Sequence, residues 1–128
     1  MAGEPQSAKH PQTAIAPMLS VRKGAKAIEF YKAAFGAGEL FRIDAPDGAV
    51  VARLSVDGAE FWVADESPEH LNFSPESLGG GTVRMVMIVN DPDAAFERAV
   101  GAGATVLVAL EVLKPLWRER LRSSPNAD

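Results

Sequence analysis

Two short stretches carry the side chains with the most chemical reach. In "VVARLSV", Arg53 and Ser55 alternate with Ala52, Leu54 and Val56; in "AEFWVAD", Glu60 and Trp62 alternate with Phe61 and Val63. Both have the period of two expected of strands, in which every second residue shares a face. One face of each strand is then apolar and suited to lie under a helix. The other carries a guanidinium, a hydroxyl, a carboxylate and an indole. An aromatic wall with a few polar groups is an ordinary lining for a ligand pocket. The same side chains would equally suit solvent or a contact with a partner subunit.

Other reactive residues point to less. His10 and His70 lie in polar segments off the strands and read as solvated loop histidines rather than catalytic bases. Gly79-Gly80-Gly81 lacks the Lys-Ser/Thr and helix start of a phosphate loop, so it reads as a flexible connector. The chain has no cysteine, which excludes disulfide staples, thiolate metal sites and thiol catalysis and fits a cytoplasmic location. A net charge of −4 argues against a nucleic-acid partner. No apolar run is long enough to cross a bilayer. Residues 1–14, "MAGEPQSAKHPQTA", lack an apolar core and read as a polar arm rather than a signal peptide.

The elements that must position these side chains are written twice. Ala34, Gly36, Ala37 and Gly38 recur as Ala99, Gly101, Ala102 and Gly103, an offset of 65 residues. Each copy places an amphipathic helix before the glycines, expected over 25–35 and 92–100. A glycine ends each helix. Strands are expected at 17–22 and 83–89 before the helices, and at "ELFRI" and "TVLVAL" after them. Asp91-Pro92 supplies an N-cap carboxylate and then proline at the first helical position. The first copy continues through a hairpin at Asp57-Gly58, giving βαβββ over residues 15–66. A polar linker spans 67–82, and a second module spans 83–112. At 128 residues this is one α+β domain built by internal duplication, its second module incomplete at the C-terminus. The tail, 113–128, reads as an atypical helix, with Leu113, Leu116, Trp117 and Leu121 on one face.

The stretches "PMLSVRKGAKAIEFYKAAFGAGELFRI", "VVARLSVDGAEFWVADESPE" and "SLGGGTVRMVMIVNDPDAAFERAVGAGAT" resemble the vicinal oxygen chelate superfamily, and most of all its PhnB-like, glyoxalase-related branch. That group includes glyoxalase I, extradiol dioxygenases, and bleomycin and fosfomycin resistance proteins. The resemblance covers about residues 15–107. It implies paired βαβββ modules curled around a cleft, usually in a homodimer, with exchange of segments between copies as one route to it. Metal-using members draw ligands from the first and last strand of each module. Carried over, those positions fall near Ala16, on Glu60, on Arg84, and on a strand that the sequence does not supply. The third-strand His and Glu common in the PhnB-like branch are replaced by Val51 and Arg53.

One carboxylate cannot hold a catalytic ion, so the resemblance implies no metal and no cofactor here. The polar strand faces and the carried-over position together give Arg53, Ser55, Glu60, Trp62 and Arg84 as the cleft residues. An ion pair between Glu60 and Arg84, within one chain or across a dimer, is expected to stand where relatives hold the metal. Three functions follow from the resemblance. The first is metal-free binding of a small molecule in the cleft. The second is a metal-dependent glyoxalase-like lyase or isomerase, or another enzyme of the superfamily. The third is a structural dimer without ligand.

Overall fold

The computed structural model describes residues 12–107. Strand β1 (Met18–Val21) leads into helix α1 (Gly24–Phe35), followed by β2 (Gly38–Asp44), β3 (Val50–Val56) and β4 (Ala59–Asp65). A 3-10 turn (Pro68–His70), a short helix α2 (Pro75–Leu78) and helix α3 (Pro92–Gly101) complete the order. The architecture is α+β, and the first module is the expected βαβββ unit.

The four strands form one sheet in the order β1-β4-β3-β2. β1 runs parallel to β4, while β4, β3 and β2 are antiparallel neighbours. The parallel pair requires a crossover, and α1 with the β2–β3 excursion provides it. Asp57 (φ 51°) and Gly58 (φ 87°) both take left-handed backbone, which closes a two-residue hairpin between β3 and β4.

α1 covers one face of the sheet. Ile28 packs there with Val50, Ala52, Leu54, Val63 and Ala37, all buried. Tyr31 meets Phe61 edge-on at 5.5 Å. The helix starts without a capping side chain of its own, because Lys23 precedes it in a left-handed conformation. Instead Asp65, at the end of β4, accepts from the Gly24 N–H at 2.8 Å and from the Val50 N–H at 2.7 Å. A Cβ at Gly24 would lie 2.5 Å from Asp65 Oδ2, so this close approach requires glycine.

Gly36 ends α1 in the left-handed conformation (φ 71°), as expected. The second copy differs. Gly101 is the last helical residue, Ala102 stays right-handed, and Gly103 takes the positive φ of 115°. Asp91 caps α3, accepting from the Ala94 N–H at 3.1 Å, with Pro92 behind it. The two repeat helices pack on each other, and Arg98 Nε donates to the Ala33 carbonyl at 2.9 Å.

Residues 83–89, expected as a strand, carry no ladder. Among the described residues no strand lies beside them. β1 pairs with β4 and no other strand, and the counterpart of β4 would lie 65 residues later, at 124–130. No described residue takes that place. Residues 105–107 likewise form no strand. The rest of that expected strand, the tail helix and His10 lie outside the described residues.

The expected linker is more ordered than its composition suggests. Glu66 accepts from the Ser74 N–H at 2.8 Å and the Ser77 hydroxyl at 2.9 Å, and Arg22 Nε reaches it at 3.3 Å. The Ser20 hydroxyl donates to Asn72. Gly79 serves as the left-handed cap of α2.

Candidate functional site

Cross-strand register sets which side chains share a face. Phe41 lies opposite Arg53, Arg53 opposite Trp62, and Trp62 beside Met18, so these four form one row across the sheet. Ile43, Val51, Ala64 and Ser20 form the next row on the same side. Ser55 and Glu60 pair near the hairpin end of that side. All of them point away from α1. The described residues leave this face open, with Met18, Phe41 and Ile43 exposed.

Four of the five expected site residues therefore converge. Arg53 stacks over Trp62, with its guanidinium carbon 5.8 Å from the ring centroid. Phe41 meets Trp62 edge-on at 6.1 Å. Glu60 Oε1 stands 3.8 Å from an Arg53 terminal nitrogen, close enough for charge attraction and too far for a hydrogen bond. Arg53 Nε is sealed from solvent with no acceptor. Ser55 is partly committed already, because its Oγ accepts from the Gly58 N–H at 3.1 Å and so tightens the hairpin.

Arg84 does not join them within the chain. It is exposed on the ladder-free segment, and the cation that faces Glu60 is Arg53. Within one chain the expected Glu60–Arg84 pair is not formed. Sequence reasoning also passed over Phe41, Ile43 and Met18 as site residues. The signal for two of them is the alternation of Phe41 and Ile43 with Leu40 and Arg42 in "ELFRI", which puts the Phe41 ring and the branched Ile43 side chain on one strand face.

Of the four positions that the resemblance implies for a divalent ion, three lie among the described residues, and these three do not supply a ligand set. Ala16 has no donor, Arg84 is a cation, and Glu60 already has Arg53 beside it. Among the described residues no group of three His, Asp or Glu side chains forms a ligand cluster. His70 is exposed in its 3-10 turn, 2.6 Å from the Ser67 hydroxyl, which agrees with a loop role. A shallow depression of about 380 Å³ lies along α1, lined by Arg22, Lys23, Lys26, Phe30, Tyr31 and Glu76, on the side of the sheet away from the open face. Among the described residues no helix is long and apolar enough to cross a membrane.

The chain is similar to several known proteins. An uncharacterized protein of Mycobacterium bovis is 42% identical over 113 residues, covering 85% of this chain and 73% of its own length. An uncharacterized protein of Mycobacterium tuberculosis is also 42% identical over 113 residues, and there the chain spans 65% of the relative. A crystal structure of an Arabidopsis thaliana gene product aligns with a TM-score of 0.62 and 31% identity, over 82% of each chain. The crystal structure of TioX from a Micromonospora species aligns with a TM-score of 0.53 and 25% identity, over 74% of each chain. Residues 12–118 match the Glyoxalase/Bleomycin resistance protein/Dioxygenase superfamily, and with the βαβββ sheet in place the chain belongs to that superfamily.

Proposed function

We propose that the open face of the sheet binds a small molecule without a metal ion, in a cleft completed when two copies associate. The observation that carries this reading is the row Phe41–Arg53–Trp62–Met18, a set of aromatic and apolar groups around one guanidinium on a face of the four-stranded sheet that the described residues leave open. A site on strands is preorganised, so little ordering cost opposes binding. Glu60 faces a cation, Arg53, and no group of three ligating side chains lies among the described residues, which supports binding over metal-dependent lyase or isomerase chemistry. Arg53, Ser55, Glu60 and Trp62 are the contact residues from one copy, and Arg84 contributes from the second copy, whose exposed residues 83–89 cover the cleft. Planar aromatic compounds should raise the melting temperature of the wild-type protein and leave that of Trp62→Ala unchanged. Equal shifts in both proteins would reject the proposal.

A further inference from the structure

From the state of Arg53 we infer the ligand class, an inference that rests on the binding role of the open face: a planar aromatic molecule carrying a carboxylate. Arg53 sits in the middle of the face, between Phe41 on β2 and Trp62 on β4. A guanidinium offers five N–H donors in a rigid fork. Here the group is held by stacking on Trp62 rather than by its own hydrogen bonds. Its Nε meets no acceptor, and its charged neighbour Glu60 stays at 3.8 Å. Nε is sealed from solvent, so the part of this ring-oriented cation that an acceptor from outside can reach is its terminal pair of nitrogens, which make no hydrogen bond among the described residues.

A carboxylate matches the fork in geometry and charge, and the pair can form two parallel hydrogen bonds. The rings on either side, Phe41 and Trp62, supply flat apolar surface where an aromatic body attached to that carboxylate would rest. Glu60 is the group that opposes an incoming anion. Its side chain is 46% exposed and makes no close hydrogen bond to Arg53, so it can turn to solvent as the ligand carboxylate takes its place.

The test titrates two matched probes into the purified full chain by calorimetry: 2-naphthoate and the uncharged 2-naphthalenemethanol. The expected result is binding of both, with naphthoate at least about tenfold tighter, since a charge-assisted contact to arginine separates them. That advantage should shrink at raised salt and disappear in Arg53→Gln. In Glu60→Gln, which removes the competing carboxylate, it should grow. Equal affinities of the wild-type protein for the two probes would overturn the carboxylate assignment and leave the open face as a binding surface. An advantage that survives in Arg53→Gln would do the same. Failure of both probes to bind would overturn the assignment together with the binding role.

Discussion

Asp65 joins three elements through one carboxylate, accepting from Gly24 at the start of α1 and from Val50 at the start of β3. Both donors are buried and depend on it. Asp65→Ala should therefore cost about 2–4 kcal/mol, since two backbone N–H groups lose their acceptor. Asp65→Asn, which keeps one acceptor oxygen, should cost less. The midpoint of urea unfolding measures both, and an Asp65→Ala loss within experimental error would show that water replaces the carboxylate. This clasp is not legible in the sequence, because its partners are 41 and 15 residues away. The polar face of Arg53, Ser55, Glu60 and Trp62 is legible, because alternation along a strand needs no tertiary information. The direction of Arg84 is not legible for the opposite reason: aiming it requires a partner strand that the described residues do not supply.

Elements report how far local pattern carries. Both repeat helices are found within a residue of their expected bounds, since apolar spacing, Asp91-Pro92 and Gly36 mark them locally. The segment 67–82 reads as a polar linker from composition, yet Glu66 ties it to the sheet through Ser74, Ser77 and Arg22. No local pattern announces that contact. The Ser74 N–H, and then the Ser77 hydroxyl, hold the Glu66 carboxyl below its ordinary value of 4.5. A carboxyl lowered by folding adds stability above its unfolded value and loses it as pH falls through the folded value. The 67–79 segment should thus stay tied at neutral pH and loosen in acid below pH 4.5. Hydrogen exchange at the Ser74 amide, compared between wild type and Glu66→Gln, measures this. A Ser74 amide equally protected on both sides of that range in the wild-type protein would show that the carboxylate does not hold the segment.

At the scale of the whole molecule, the first module is complete, and the described part of the second carries no strand ladder. Residues 83–89 leave Val83, Val86 and Ile88 at 81%, 70% and 72% exposure, next to polar backbone without a ladder. Such an edge recruits a partner, and a two-fold pairing satisfies both copies at once. Sedimentation equilibrium at micromolar concentration should show a dimer that Val86→Lys weakens. A wild-type protein that remains monomeric would remove the second wall from the proposed cleft. The central claim, that the open face is the ligand surface, is tested most directly by mapping backbone amide shifts of the labelled protein during titration with 2-naphthoate. The account predicts that the amides of Phe41, Arg53 and Trp62 move together and saturate. Shifts confined to Lys26, Phe30 and Tyr31 on the α1 side would contradict it.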